Sequence, residues 1–517
     1  MNPGMGAGPG MDPGADGDGG TSVTRIIDRG LADIAAIDPA LTPDVRRLSR
    51  MLHDPPRVAL IGRIKAGKST LVNALIEAKV AATAALECTT AVSVFHRGQP
   101  ERAEIVSVDG RRIPVALAGR ELRDLGMSAT EVDHVDRYLS SAILDDFTLI
   151  DTPGTATLTE GVEDATRRAL LGASGASRAS GISGASGAHP GPGGDAIDGT
   201  GAGADACLYL TDSAPRDDER AFISELGFTP VNTIAVLSRA DSFGEGAFGA
   251  EDPIDHARAY TEGIAGGLTL LARSILPVSG LLAESSSTGA ITESLARDLA
   301  ALARHDREDV IRDLESAEPR LLSPAQRNRL LGTVAPYGII AGRAVAPQGA
   351  RALRDWMRER SGIVELRRRI THELADIAAV RRAQRILEHV ERLAYRHPRG
   401  QDIRGVLDRL RSDPAMWRVE LYRSLSGLMA ATPHSPMIRF VTAAVAASTV
   451  AEAVGLAEGA SPAAVREEIT DRTFHLRQRL TRLLDPAEEN AATLLLTLYG
   501  HLPRMLDGPG GPAARIT

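Results

Sequence analysis

Gly62-Arg63-Ile64-Lys65-Ala66-Gly67-Lys68-Ser69 is the stretch from which the fold of this chain can be read. It matches G-x-x-x-x-G-K-[ST], and its surroundings fit the pattern. The apolar run Arg57-Val58-Ala59-Leu60-Ile61 before it predicts a buried strand, and residues 71–82 after it predict a helix. The glycines let the backbone curl until its N–H groups converge on phosphate oxygens. The helix start adds the positive end of its dipole. In this pattern Lys68 reaches the β and γ phosphates and the Ser69 hydroxyl ligates Mg2+, with Thr70 next in the cradle. The whole chain has three lysines, Lys65, Lys68 and Lys79, and arginine otherwise supplies its positive charge; two of the three stand in this loop.

Four further motifs follow. Asp151-Thr152-Pro153-Gly154 comes after the apolar run 147–150. A carboxylate at a strand end can hold Mg2+ through water, and the Gly154 N–H can sense a γ-phosphate. Between this motif and the phosphate loop lies Glu87-Cys88-Thr89-Thr90. Thr89 or Thr90 can supply the switch hydroxyl that completes a Mg2+ shell, with Thr90 preferred. Ser238-Arg239-Ala240-Asp241 ends another apolar run, where the usual motif is [NT]KxD. Asp241 can accept from guanine N1 and N2, whereas adenine presents an acceptor at N1. Arg239 can lay its guanidinium over the base. Ser238 is a departure that predicts modest affinity. Ser279-Gly280 then fits the loop whose N–H meets the base oxygen. The set predicts GTP/GDP with Mg2+ as ligands; a P-loop ATPase is the competing reading.

Composition bounds the rest. At 517 residues, 43% hydrophobic and 24% charged, the chain has material for about three domains. A net charge of −8 argues against coating nucleic acid, so no nucleic-acid partner is expected. Two cysteines, Cys88 and Cys207, exclude a disulfide scaffold and predict a reduced, cytoplasmic setting. The first twenty residues have neither a basic nor an apolar region of a signal peptide. The best membrane-span candidate, 440–451, is far short of the ~20 residues a span needs.

Short apolar runs at 147–150, 206–210, 233–237 and 275–278 alternate with helical stretches, and 92–95, 103–108 and 112–116 read as a meander with an Asp109-Gly110 turn. The expected fold class is an α/β head with a mostly parallel sheet and helices on both faces, joined to an all-α helical bundle. The expected domains are a disordered tail (1–20), N-terminal helices packing on the helical part (21–54), the head with accessory helices (55–372), a helical neck and trunk (373–507) and a second disordered, polar tail (508–517). Residues 172–205, almost pure Gly, Ala and Ser, read as a flexible insertion. The longest helical pattern covers 363–395, and another covers 437–451.

Lys68 and Asp151 stand 83 positions apart, far more than in a small GTPase. With that spacing, the phrases LIGRIKAGKSTLVNAL, ECTTAV, LIDTPGT, LSRAD and LPVSGLLA resemble the dynamin superfamily. They look closest to the bacterial dynamin-like proteins of actinobacteria, of the isoniazid-induced IniC type. The resemblance covers 57–282 strongly and continues weakly through Tyr337-Gly338 and 361–366. It implies GTP hydrolysis, heads that dimerise across the nucleotide, low nucleotide affinity, and a trunk whose movement remodels a membrane. A second dynamin-like protein is a possible partner under this resemblance. It also marks a departure: eukaryotic dynamins carry a Gln-Ser pair where this chain has Ile64-Lys65. Ile64 cannot orient water. Lys65 can place an ammonium where a charge-compensating cation would sit, or it can be a solvated loop residue.

Arginines 367–369, 381, 382 and 385 read either as a solvated face or as a contact with an anionic membrane surface at the inner face of the plasma membrane. His372-Glu373 lacks the second histidine of a zinc helix. Three functions therefore compete: a membrane-associated mechanoenzyme, a regulatory GTPase acting through protein contacts, and a non-catalytic partner subunit.

Overall fold

The structure is a computed structural model. It describes the chain except residues 1–17, 64, 82–90, 119, 123–125, 129–130, 154–159, 172–202, 215–216, 269, 458, 482–483, 509 and 517. The described chain divides into two compact units. One comprises His53–Ala378 with Leu425–Thr442, the other Met1–Leu52 with Ala379–Ser424 and Ala443–Thr517.

The first unit is built on a nine-stranded sheet. Its strands are β1 (Arg57–Gly62), β2 (Ser93–Arg97), β3 (Arg102–Ser107), β4 (Arg112–Val115), β7 (Val132–Leu139), β8 (Thr148–Asp151), β9 (Ala206–Thr211), β10 (Thr233–Ser238) and β11 (Ser274–Val278). A two-stranded ribbon, β5 (Leu117–Ala118) and β6 (Glu121–Leu122), stands apart from it. The order across the sheet is β11-β10-β9-β1-β8-β2-β7-β3-β4. Strands β11 to β8 run parallel, and β2 pairs antiparallel to β8. Near-continuous apolar runs such as Val58–Ile61 are what a parallel strand covered on both faces requires.

The expected meander takes another form. Only β3 and β4 form a hairpin, and β7 lies between β2 and β3. Strand β7 (VDHVDRYL) escapes an apolar search because it buries His134, Asp136 and Arg137. Each has a partner. His96 and His134 face the Asp136 carboxylate at 2.9 and 3.5 Å, and Arg112 donates to it at 3.0 Å. Arg137 donates to the Val80 carbonyl at 2.8 Å.

Helices in this unit include α3 (Lys68–Ile76), α4 (Glu160–Leu171), α5 (Asp217–Glu225), α6 (Pro253–Ile264) and α7 (Gly280–Ser287). Accessory helices Pro324–Gly342 and Ala350–Arg360 follow. The helix expected over 71–82 begins earlier, at Lys68, and stops at Ile76 with Glu77 in the left-handed region. Its end is set by Asn73, whose Oδ1 accepts from the N–H groups of Val80 and Ala81, both at 2.8 Å. The long pattern 363–395 is broken. A π-helical turn, Ile370–Leu374, separates helices Ile363–Arg369 and Ala375–Arg396. There the Thr371 hydroxyl donates to the Arg367 and Arg368 carbonyls, which widens the turn.

The second unit is helical. Helix α1 (Asp18–Ile37) buries Val23, Ile27, Leu31 and Ile34 at three- and four-residue spacing, and α2 (Thr42–His53) follows. Arg382 donates to the Leu52 carbonyl at 3.2 Å. The helix expected over 437–451 ends at Ala446; Thr449 then caps a new turn, Val450–Ala453, through a capping box with Glu452. The C-terminal stretch expected to be a disordered tail is instead ordered against this turn. Val450 donates to the Ala514 carbonyl, Ile516 donates to Ser448, and Ile516 is buried.

Candidate functional site

Register places the site. Leu60 of β1 lies beside Asp151 of β8, and Gly62 lies beside Leu210 of β9. The chain leaves β1 at Gly62, where a Cβ would stand 2.8 Å from the Leu210 carbonyl oxygen, so only glycine fits. Lys65 (φ 63°) and Gly67 (φ 92°) then take left-handed conformations, and α3 starts at Lys68.

The Lys68 ammonium donates to the carbonyls of Gly62 and Arg63 at 2.9 and 3.0 Å. Burial lowers its pKa, and the charge of Asp151 opposes that shift. Asp151 is the more perturbed member of this pair. Burial raises its pKa to about 6 against the opposing pull of Lys68 and Arg137. Its Oδ1 is buried with no hydrogen-bond partner among the described residues. The neighbouring Thr152 hydroxyl donates to the Leu60 carbonyl at 2.7 Å, which ties the end of β8 to β1.

Beside the loop lies a cavity of about 440 Å3, within the roughly 300–1,000 Å3 common for small-ligand sites. Ala66, Gly67, Thr70, Ser238, Arg239, Asp241 and Gly280 line it, which brings together the phosphate loop and both expected base loops. Arg239 (φ 56°) donates through its guanidinium to the Lys65 carbonyl at 2.5 Å, so it bridges the base loop and the phosphate loop. The Ser238 hydroxyl is spent on the Thr211 carbonyl at 3.1 Å. Asp241 is buried, with the Ser242 hydroxyl 3.4 Å from its Oδ2. Ser279 is wholly buried; it caps α7 through Leu282 N–H and donates its own N–H to the Ser361 carbonyl. Gly280, next to it, is the residue that faces the cavity.

Ser69 occupies the first turn of α3, and Arg63 pairs with Glu219 of α5 at 3.2 Å. The Lys65 side chain is exposed. Ile64, Cys88, Thr89, Thr90 and Gly154 lie outside the described residues. Sequence reasoning missed Leu331, Ala335 and Pro336 of the accessory helix, which also line the cavity. The Pro inside a helical pattern was the available signal.

A mostly parallel sheet with a phosphate loop between β1 and α3 is the fold of a P-loop GTPase head, and the two expected base loops share one cavity with that loop. Residues 57–182 match the family described as 50S ribosome-binding GTPase. The chain is similar to the bacterial dynamin-like proteins of the IniC type. It is 28% identical over 372 residues to the isoniazid-induced protein IniC of Mycobacterium tuberculosis, in each of two strains, covering 68% of this chain and 69% of the relative. Two solved chains described as an oligomerised bacterial dynamin pair, with long-range sensing and tethering of membranes, overlay 94% of this chain and 74% and 75% of theirs. Their identities are 12% and 11% and their TM-scores 0.32 and 0.30, too loose an overlay to add to the sequence match. Among the described residues no helix is long and apolar enough to cross a membrane.

Proposed function

We propose that this chain is a dynamin-like GTPase that hydrolyses GTP with Mg2+ and couples contact between heads to movement of its helical part in membrane remodelling or maintenance. The observation that carries this reading is the Lys68–Asp151 pair, with Lys68 at the start of α3 and Asp151 at the end of β8, beside a cavity that both expected base loops line.

The residues fit a Mg2+ ion. Asp151 offers a buried carboxylate oxygen with no partner among the described residues, and Ser69 stands at the start of α3. When bound, the ion neutralises charge developing on the phosphates. The chain's own residues supply the rest. The Lys68 ammonium gives up the Gly62 and Arg63 carbonyls and turns to the β and γ phosphates. The loop N–H groups and the start of α3 hold the phosphate oxygens. Asp241 accepts from guanine N1 and N2, the Arg239 stem covers the base, and the Gly280 N–H meets the base oxygen. Thr90 and Gly154 are the switch groups that answer the γ-phosphate. Lys65, exposed on the same loop, supplies compensating positive charge in cis.

Self-association of heads, a second dynamin-like subunit and an anionic membrane surface are the partners this reading entails. The test is Mg2+-dependent phosphate release measured against protein concentration, with and without anionic liposomes. Turnover per molecule that rises with concentration, and again with lipid, supports the mechanoenzyme. Flat, lipid-blind turnover means a regulatory GTPase or a subunit acting through protein contacts. Absence of turnover in the presence of Mg2+ refutes the catalytic reading.

A further inference from the structure

We infer that the kink of helix Pro324–Gly342 is a nucleoside-binding element: Leu331, Ala335 and Pro336 form an apolar wall against the purine nucleoside, outside all the nucleotide motifs. The inference deepens the nucleotide-binding reading above and rests on it.

The helix is interrupted at Ala335, whose φ of 58° and ψ of 173° lie where glycine is at home and alanine is strained. Pro336 follows, so the break also removes a backbone donor. A strained alanine persists where its surroundings over-determine it, and here they do. The Tyr337 hydroxyl donates to Asp252 at 3.0 Å and accepts from Arg360 Nε at 2.9 Å. Its ring stacks on Trp356 with centroids 6.0 Å apart. Arg360 also holds Asp255 with both terminal nitrogens, at 3.0 and 3.1 Å. One turn before the break, Leu331 points the same way. The helix packs against Ala240–Ser242 and against α7, so the three residues share the cavity with Asp241, Ser242 and Leu281, the half expected to hold the nucleoside.

The chemistry of the facing groups says what such a wall receives. Polar recognition of the base is thin, since the Ser238 hydroxyl is committed to the Thr211 carbonyl and leaves Asp241 and a backbone N–H to read the purine edge. An apolar wall buries the flat, weakly hydrated part of the ligand and offsets that loss, while contributing nothing to a bare phosphate chain.

Calorimetric titration of the full chain with GDP and, separately, with inorganic pyrophosphate tests this. In the double variant Leu331→Ala/Ala335→Gly, GDP affinity should fall fivefold or more while pyrophosphate affinity stays within twofold. Lys68→Ala should weaken both ligands. Ala335→Gly alone relieves the strained backbone, so its melting temperature should equal or exceed that of the wild type. An unchanged GDP affinity in the double variant overturns the wall. Equal losses for GDP and pyrophosphate also overturn it, since they mark a structural role. If the wild-type chain binds neither ligand, the nucleotide site itself is refuted and the wall with it.

Discussion

On the proposed reading, Asp151 joins protonation to metal binding. Burial lifts its pKa to about 6 in the free protein, against 3.8 ordinarily. Its contribution to fold stability is therefore complete below the ordinary value and is lost as pH rises through about 6. A metal ion prefers the carboxylate, so binding expels the proton. Mg2+ affinity should therefore climb with pH, by up to about tenfold per unit, while Asp151 is protonated, and level off once it is ionised. Calorimetry at pH 5, 6 and 7 reads this directly; a flat profile would mean that Asp151 does not face the ion. Asp241 carries a second prediction. Asp241→Asn exchanges an acceptor for a donor and should shift turnover from GTP to xanthosine triphosphate. Comparing the two substrates by phosphate release decides whether this residue reads the base. Lys65 carries a third. Lys65→Ala should lower kcat at least tenfold with little change in GDP affinity, and single-turnover kinetics separate that outcome from an unchanged kcat, which would leave Lys65 a solvated side chain.

At the scale of elements, α3 is held at both ends. Its first turn is the phosphate cradle, and its last carbonyls, Ala74 and Leu75, accept from the Arg367 guanidinium at 2.6 and 3.2 Å. Arg367→Ala should cost about 1–2 kcal/mol, read as a lower urea midpoint, because charged donors at a helix C-terminus stabilise it. Strand β7 shows what was legible in the sequence. The phosphate loop, β1, β8, β10 and β11 were legible because their apolar runs end in motifs, and β9 was legible as an apolar run alone. β7 was hidden because a buried row of His134, Asp136 and Arg137 mimics a surface. Pro336 marks the break at Ala335 locally, but the strained conformation there is held by tertiary contacts at Tyr337, which no sequence pattern shows. Of the site, the residues lining the cavity from the phosphate loop and base loops were legible as motifs. Leu331, Ala335 and Pro336 carried no motif that ties them to a ligand.

At the scale of the whole molecule, the two units carry different acid responses. In the helical unit, burial lowers the pKa of His389 to about 4, and Arg392, Arg47 and Arg385 add to the effect against a bond to the Arg385 carbonyl. The unfolded chain binds that proton first, so this stabilisation is present above about pH 6.5 and is lost as pH falls toward 4. In the α/β unit His134 has the opposite sign. Its pKa is raised despite burial because Asp133 and Asp136 hold the charged form. Its contribution is present in acid and fades as pH rises through its folded value. Amide exchange followed from pH 7 to 4.5 should therefore show the helix Ala375–Arg396 losing protection, with His389→Gln flattening the response; equal protection at both ends of the range would contradict it.

The rarity of lysine makes the phosphate loop its own reporter. Lys65 and Lys79 are exposed, while the Lys68 amine is half-buried, and no other lysine exists in the chain. An amine-selective acylating reagent would thus meet almost no background on this protein. It would mark Lys65 and Lys79 in the free molecule, with Lys79 as an internal standard beside a changing Lys65. Mass spectrometry of those two positions would follow occupancy of the cradle in one tube, with no label engineered in.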